Sequence, residues 1–260
     1  MPDFHPLLDP SVRPVVGHRG NCAHAPENTL VSFRQAVALG VDALEFDVRL
    51  TRDGEVVVVH DPTLTRTTGV AGEVRDMTLA ELRDADAGAT FSRDQGRSFP
   101  YRGLGIGIPT LAEVLEELPQ FPVLIELKVA EVAAATRRVI ERMGAEARCI
   151  VASSVEAAIP PFEGSRIAIG ATPGHVAPLL LPALMGRRFQ ALPFRTMSLP
   201  RMWRGIPVPL AALARATRPA GATLHVWTIN DPATAKRLWM RGVHGILSDD
   251  PAAMLAARDS

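Results

Sequence analysis

Short runs of β-branched residues alternate with longer helical stretches along nearly the whole chain. Eight runs predict strands, at Pro14–His18, Ala43–Leu50, Val123–Lys128, Cys149–Ser153, Arg166–Gly170, Gln190–Pro193, Thr223–Thr228 and Gly245–Ser248. Strands that alternate with helices form parallel sheets, because each crossover returns the chain to the same edge. The 260 residues are close to the length of about 250 that a (β/α)₈ barrel needs. The alternation therefore predicts an α/β fold, a (β/α)₈ TIM barrel, as a single domain over residues 1–260.

The stretches between these runs have helical spacing of apolar residues. We predict helices at Glu27–Leu39, Leu111–Glu117, Glu131–Met143, Val176–Arg187, Leu210–Arg218, Pro232–Arg241 and Pro251–Arg258. Eight parallel strands could also form an open doubly wound sheet. That fold usually carries a phosphate-binding G-x-G-x-x-G turn after its first strand, whereas this chain has Gly17-His18-Arg19-Gly20 there. The barrel is therefore favoured.

One segment interrupts the alternation after the second strand. Glu55–Val59 is an extra apolar run, and residues from roughly 62 to 107 are rich in Gly, Asp, Arg and Thr. Thr78–Arg83 has the pattern of a short helix within this segment. We interpret the segment as a small insertion into the barrel, and we expect Gly88–Gly107 to shape a pocket at its mouth.

Composition excludes several classes of function. The 28 basic and 28 acidic residues cancel, so no global field attracts nucleic acid or an anionic membrane, although local charged patches remain possible. Two distant cysteines indicate neither a disulfide framework nor a zinc cluster. Residues 1–13 contain no apolar run of the ~7–15 residues typical of a signal peptide. We therefore predict a cytoplasmic protein without stable membrane insertion; the sequence does not indicate its oligomeric state.

Carboxylates occur inside a predicted buried strand, Leu44-Glu45-Phe46-Asp47-Val48. Alternate side chains of a strand face opposite sides, so Glu45 and Asp47 point together into the barrel. Two unpaired anions in such a place repel each other and lose hydration. A divalent cation would compensate them, whereas ordinary salt bridges to Arg49 and Arg52 are the alternative.

A second strand places Glu126 and Lys128 on one face. With Glu45 and Asp47, Glu126 would complete a set of three carboxylates, which suits one Mg²⁺ or Ca²⁺ ion better than zinc. The chain has 26 arginines and only two lysines, so Lys128 suggests a need for a compact ammonium that contacts phosphate. A simple ion pair between Glu126 and Lys128 remains an equal alternative.

Two histidines close apolar strands and precede polar turns. His18 ends Val15-Val16-Gly17-His18, and His60 ends the run that begins at Val56. Histidine titrates near neutral pH, so a pair of histidines can divide the roles of general acid and general base. Arg19, beside His18, could clamp a phosphodiester with its planar donors or form a salt bridge at the barrel mouth. His24, His175, His225 and His244 lack this setting and are interpreted as surface or core residues.

Several of these residues fall in a combination that resembles the glycerophosphodiester phosphodiesterase family. The matching strings of the N-terminal third are His18-Arg19-Gly20, Ala25-Pro26-Glu27-Asn28-Thr29, Glu45-Phe46-Asp47-Val48, His60-Asp61-Pro62 and Thr67-Thr68-Gly69. Later matches are Pro109-Thr110-Leu111, Glu126-Leu127-Lys128, Trp227-Thr228-Ile229-Asn230 and Gly245-Ile246-Leu247-Ser248-Asp249. The resemblance thus spans nearly the whole chain.

The resemblance implies hydrolysis of small glycerophosphodiesters to glycerol 3-phosphate and an alcohol. It implies metal binding by Glu45, Asp47 and Glu126, acid–base catalysis by His18 and His60, and phosphate binding by Arg19 and Lys128. Trp227 would pack against glycerol or belong to the core. Residues 193–209, rich in Arg, Pro and Met, depart from the family pattern, so the resemblance does not identify the alcohol.

Two other functions are compatible with parts of this pattern. Lipid phosphodiesterases of the sphingomyelinase D or lysophospholipase D type resemble the same barrel and site, but they are typically secreted. The second alternative is a non-catalytic barrel in which a metal ion only stabilises the barrel mouth. The presence of both histidines and all three carboxylates argues against it.

Overall fold

A computed structural model describes residues 5–260 of the chain. Its strands are β1 Val15–His18, β2 Ala43–Leu50, β3 Val56–Val58, β4 Val123–Leu127, β5 Cys149–Ala152, β6 Ala168–Ile169, β7 Thr196–Pro200, β8 Met202–Trp203, β9 Ile206–Pro207, β10 Thr223–Trp227 and β11 Gly245–Ser248. Eight of them pair in parallel in the order β6-β5-β4-β2-β1-β11-β10-β7. A parallel bridge between Gly170 and Thr196 joins the two ends of this order. The sheet is therefore closed, and the predicted TIM barrel is confirmed over the open sheet.

Most of the helices surround the barrel on its outer side, and two short ones belong to the insertion after β3. They are α1 Leu30–Ala38, α2 Thr65–Thr68, α3 Leu79–Arg83, α4 Leu111–Glu117, α5 Ala133–Arg142, α6 Pro173–Val176, α7 Leu180–Leu184, α8 Leu210–Thr217, α9 Pro232–Met240 and α10 Pro251–Asp259. Local sequence explains several starts: Thr110 and Glu113 form a capping box at α4, and Asp231 caps α9 ahead of Pro232. Within residues 5–260, no helix is long and apolar enough to cross a bilayer.

Two predicted elements are misplaced or divided, while the others differ by a few residues at their ends. The sixth barrel strand is Thr196–Pro200, and Gln190–Pro193 lies on the surface before it. Thr196 and Met197 are fully buried, and β7 pairs with β10. The helix predicted at Val176–Arg187 is divided into α6, a 3₁₀ turn and α7. Pro178 and Pro182 cause this division, because proline removes a backbone donor and clashes with the preceding turn.

The segment after β2 has the expected insertion character. Its apolar run forms β3, which pairs antiparallel with β2. Thr78 caps α3 with a capping box, as its short helical pattern suggests. Val57, Leu64, Val74 and Leu82 pack into a small separate core. The insertion therefore extends the carboxyl-end rim of the barrel beside β2, and it has a small hydrophobic core of its own.

Alternation along β2 separates the outer core from the barrel interior. Leu44, Phe46 and Val48 are fully buried among residues of the surrounding helices, and the Phe46 ring lies 5.4 Å from that of Phe33. The intervening positions, Glu45 and Asp47, share a face with Ala43, which belongs to the layer inside the barrel. Packing of the outer face thus holds the two carboxylates inside.

Phe46→Ala should destabilise the protein by about 3–5 kcal/mol, because it removes a buried ring and leaves a cavity behind β2. Urea or thermal unfolding followed by circular dichroism measures this loss. Met240→Ala, at a side chain that is 75% exposed, is the matched control and should change stability little. Equal stability of the two variants would show that Phe46 does not anchor this strand.

Candidate active site

Three carboxylates from two adjacent strands meet at the carboxyl end of the barrel. Asp47 of β2 lies directly beside Glu126 of β4 in the parallel register, and Glu45 precedes Asp47 by one strand repeat. Ligand oxygens of Glu45, Asp47 and Glu126 all lie within 4.8 Å of one another. Glu45 and Asp47 are buried, and Glu126 is half-buried. The structure therefore brings together all three acidic residues that the sequence selected.

The surroundings shift the pKa values of the two buried carboxylates in opposite directions. Burial, reinforced by the charge of Asp47, raises the pKa of Glu45 to about 8. Burial also disfavours the Asp47 carboxylate, but Lys128 and Arg19 outweigh it and lower the pKa of Asp47. Because Glu45 is buried beside the Asp47 charge, additional positive charge near it would favour its ionised form.

These donors fit a divalent cation. Carboxylate oxygens are the ligands that Mg²⁺ and Ca²⁺ prefer, and a bound cation would offset the charge that Glu45 and Asp47 place in the barrel interior. Glu45, Asp47 and Glu126 are the residues that could hold it.

Lys128 and Arg19 both contact these carboxylates. The ammonium of Lys128 lies 2.9 Å from Asp47 Oδ1 and 2.9 Å from Glu126 Oε2. The guanidinium of Arg19 lies 3.3 Å from Asp47 Oδ2 and donates a hydrogen bond of 2.9 Å to Glu27. Ion pairs were the alternative to phosphate binding for both Arg19 and Lys128, and these ion pairs are present. Both side chains also line the same cavity as Glu45 and Glu126.

Each of the two selected histidines is held by an aspartate. His18 Nδ1 lies 2.6 Å from Asp249 Oδ1, and His60 Nδ1 lies 2.7 Å from Asp61 Oδ1. The opposite nitrogen of His18, Nε2, lies 3.9 Å from Glu45 Oε2. A carboxylate on Nδ1 fixes the orientation of the imidazole and leaves Nε2 available for proton transfer.

Sequence reasoning did not select the two aspartates. Asp249 follows β11 at its carboxyl end, in the position that His18 occupies on the neighbouring β1. Asp61 is the next residue after His60. Their locations immediately after apolar runs were the available signal. Asp249 also accepts hydrogen bonds from Asn230 and from the thiol of Cys22, which explains its fixed place.

A second group of polar residues supports the site from the loop before α1. Asn28 has a left-handed backbone, with φ of 58°, and donates a 3.0 Å hydrogen bond to Asp47 Oδ2. Glu27 accepts hydrogen bonds from Arg19 and from Arg66 of α2, and Arg66 also binds Asp61. This network connects the carboxylate site to the aspartate that holds His60.

A cavity of about 510 Å³ opens beside these groups. His18, Glu45, His60 and Glu126 line its polar side. The other wall is largely apolar and consists of Val176, Leu180, Trp203, Ile206 and Trp227 among others. Trp227 is 38% exposed, so it belongs to the cavity wall and not to the core.

The expectation that Gly88–Gly107 shapes the pocket is wrong. Among the residues that the structure describes, none from 88 to 107 lines this cavity, and the segment around β8 and β9 contributes instead. Tyr101 shows why: its hydroxyl bonds to Gln35 and to the carbonyl of His24, which ties the loop to the outside of the mouth.

Four further histidines, His24, His175, His225 and His244, have structural surroundings. His225 is fully buried against Thr196, His244 accepts from the backbone of Leu224, and His175 accepts from the backbone of Thr172. His24 lies 3.4 Å from Asp250. None of the four lines the cavity within the described part of the chain, as their sequence context predicted.

Comparison with known proteins gives a consistent family. The pattern of the Glycerophosphoryl diester phosphodiesterase family matches residues 18–159 and 193–253. A glycerophosphodiester phosphodiesterase of Caldanaerobacter subterraneus is 31% identical over 93% of this chain and 96% of its own length. The probable glycerophosphodiester phosphodiesterase 2 of Mycobacterium tuberculosis is 32% identical over 91% of this chain and 87% of its own.

A solved structure agrees in fold. The Oleispira antarctica phosphodiesterase, determined in complex with the product sn-glycerol-3-phosphate, is 27% identical, and the match covers 96% of this chain and 98% of that one with a TM-score of 0.76. The fold, the site and these matches place the chain among barrel phosphodiesterases. It belongs to the glycerophosphoryl diester phosphodiesterase family, which confirms the resemblance.

We expect Mg²⁺ or Ca²⁺ to raise the melting temperature by about 5 °C at saturating concentration, since a ligand that binds only the folded state stabilises it. Asp47→Asn and Glu126→Gln should each remove most of this rise, as measured by differential scanning fluorimetry. Glu55→Gln, at an exposed carboxylate outside the site, should retain it. A full rise in both site variants would exclude this carboxylate set as the cation site.

Proposed function

We propose that the protein hydrolyses glycerophosphodiesters to glycerol 3-phosphate and an alcohol with the help of a divalent cation. One observation carries the proposal: Glu45, Glu126, His18 and His60 line one cavity, and a carboxylate oxygen of Asp47 lies within 4.8 Å of those of Glu45 and Glu126. A cation site with two oriented imidazoles beside it has the parts that phosphodiester hydrolysis requires. Membership of the family supports the same reaction.

Glu45, Asp47 and Glu126 would hold the cation. When bound, it would supply Lewis-acid polarisation of phosphoryl oxygens and compensate the charge that develops on them. Its binding would also relieve the repulsion between Glu45 and Asp47, so that both could remain ionised.

His18 and His60 would perform the proton transfers at their Nε2 atoms. One imidazole would take the proton of the attacking hydroxyl, and the other would give a proton to the oxygen of the departing alcohol. Asp249 and Asp61 would hold the rings in register and stabilise each imidazolium as it forms. Attack by water and attack by a glycerol hydroxyl, which forms a cyclic phosphate first, both require this pair.

Arg19 and Lys128 would bind the phosphodiester. Both already lie beside Asp47, so their positive charges border the site where phosphate oxygens must approach. Arginine offers planar paired donors and lysine offers a compact charge, and together they would orient the anion. Trp227, on the cavity wall, would contact the glycerol.

The apolar wall bears on which diester substrate the cavity accepts. Leu180, Trp203 and Ile206 leave little to solvate a charged head group, so this side favours an apolar part of the substrate. This observation supports a lysophospholipase D type of substrate as a second candidate, which uses the same polar groups.

A panel of diesters tests the proposed reaction. The protein should release glycerol 3-phosphate from glycerophosphocholine, glycerophosphoethanolamine or glycerophosphoglycerol, detected with a coupled dehydrogenase, and lysophosphatidic acid from a lysophospholipid in the second case. EDTA should abolish the release, and Mg²⁺ or Ca²⁺ should restore it. Full activity in excess EDTA, or no turnover of any diester with metal present, would refute the proposal.

His18→Ala and His60→Ala should each reduce kcat by about 10²–10⁴-fold, the usual contribution of a general acid or base. Initial rates at saturating substrate measure the loss, and circular dichroism verifies the fold. His24→Ala is the matched control, because His24 is outside the cavity. Unimpaired turnover by either site variant would remove that histidine from the mechanism.

A further inference from the structure

A small hairpin projects from the barrel mouth after β7. Met202 pairs with Pro207 and Trp203 pairs with Ile206 in the antiparallel strands β8 and β9. Arg204 and Gly205 join them with φ of 49° and 81°, the left-handed pair typical of a tight two-residue hairpin turn. A further backbone hydrogen bond of 3.0 Å runs from Val208 N to Arg201 O. We call residues 201–208 the tryptophan hairpin.

The tryptophan hairpin exposes large apolar side chains. Met202 is 48% exposed, Trp203 53% and Ile206 69%. Scattered exposed apolar residues are ordinary, but three within five positions at the tip of a defined hairpin form a local patch. An exposed apolar patch of this kind beside an active-site cavity is typical of a surface that binds a membrane or another protein.

The hairpin stands between two cavities. Trp203 and Ile206 line the active-site cavity, whereas Met202 and Arg201 line a second one of about 500 Å³ on the outer side. This second cavity continues between α8 and α9, and Pro207, Val208 and Pro209 line both. We call it the arginine groove.

The arginine groove combines positive charge with an apolar floor. Its lining includes four arginines, Arg201, Arg215, Arg237 and Arg241, and no Asp or Glu. Its apolar lining residues include Met202, Val208, Leu210, Leu238 and Val243. In residues 5–260, only Arg237 among the four has a carboxylate nearby, Asp231 at 3.7 Å. The groove is therefore suited to an anion that carries an apolar part.

The charge distribution of the surrounding chain reinforces this preference. Residues 164–230 contain eight arginines and no Asp or Glu, in a protein whose total charge is zero. All eight are exposed, and within the described residues none forms an ion pair. Of these eight, Arg201 and Arg204 lie on the tryptophan hairpin and Arg215 lines the groove, so uncompensated positive charge borders both features, although the global balance conceals it.

We propose that the tryptophan hairpin and the arginine groove together dock the protein on the surface of an anionic lipid bilayer. Trp203, Ile206 and Met202 enter the interfacial region, and the groove arginines bind the phosphates of anionic lipids. Amphipathic aromatic and aliphatic side chains flanked by arginines have the composition of interfacial membrane anchors. The docked orientation presents the active-site cavity to the lipid surface, because the hairpin forms its wall.

Binding to vesicles of defined composition tests this directly. The protein should sediment with vesicles of equimolar phosphatidylcholine and phosphatidylglycerol, and much less with phosphatidylcholine alone. Tryptophan emission, to which Trp203, Trp227 and Trp239 all contribute, should shift to shorter wavelength on binding because the exposed Trp203 enters the bilayer. Higher salt should weaken the association, since each arginine near an anionic surface contributes an electrostatic attraction that salt screens. The unmodified protein is sufficient for these measurements.

Two double variants separate the contributions. Trp203→Ser with Ile206→Ser, and Arg215→Gln with Arg241→Gln, should each weaken vesicle partitioning on the order of tenfold. Leu104→Ser, at a side chain that is 65% exposed elsewhere, and Arg138→Gln with Arg142→Gln, on exposed positions of α5, are the matched controls and should not weaken it. Melting curves establish that each variant is folded.

Several outcomes would overturn the proposal. Equal partitioning onto neutral vesicles would remove the role of the arginines, and unchanged partitioning in both double variants would place any contact elsewhere. Binding of inorganic phosphate to the groove without binding to vesicles would make it a simple anion site. A homodimer that the hairpin variant dissociates, again without vesicle binding, would identify a second copy of the chain as the occupant.

Discussion

Negative charge inside the barrel is the constraint on which the site depends. Glu45 and Asp47 occupy the interior face of β2, where burial disfavours both carboxylates and the charge of Asp47 further disfavours that of Glu45. The outer face of the same strand packs Leu44, Phe46 and Val48 against helices, so the strand cannot turn its acids outward without exposing that core. Hydrophobic packing thus holds the charge in place, and the charge in turn requires positive partners.

The positive partners come from different parts of the chain, and their contacts determine much of the arrangement of polar side chains at the barrel mouth. Arg19 follows β1 and Lys128 follows β4, and both contact Asp47. Beyond them, Glu27 binds Arg19 and Arg66, and Arg66 binds Asp61 beside His60. The imidazoles, the cations and the carboxylates are therefore parts of one electrostatic arrangement. A change in one charge alters the protonation or orientation of the others.

Sequence patterns predicted the barrel because its strands are buried on both faces and stand out as apolar runs. The same runs revealed the site, since Glu45, Asp47 and Glu126 interrupt them and His18 and His60 end them. The sixth strand was misplaced because Thr196–Pro200 has little apolar contrast with the loop before it. Asp249 and Asp61 were missed because their roles depend on which histidine lies beside them, and only the folded barrel determines that.

The cavity wall shows a different limit of sequence reasoning. Glycines in residues 88–107 suggested a loop over the mouth, but Tyr101 fastens that loop to the outside. Residues 201–208 form the wall instead, through a hairpin of only two residue pairs. So short a hairpin has no periodicity to detect, and the wall is assigned from tertiary contacts alone.

Because the chain has so few lysines, the ion pairs of Lys128 can be followed by chemical modification of amines. The chain has two lysines, and Lys236 lies at the surface, where its ammonium contacts Ser260. Burial disfavours the Lys128 ammonium, but Asp47 and Glu126 outweigh it and raise the pKa of Lys128. Protonated and enclosed, Lys128 is a poor nucleophile toward acylating reagents, whereas Lys236 is open to them. The extent of acylation of Lys128 relative to Lys236, measured by peptide mass spectrometry, therefore reports whether the ion pairs of the carboxylate site are intact.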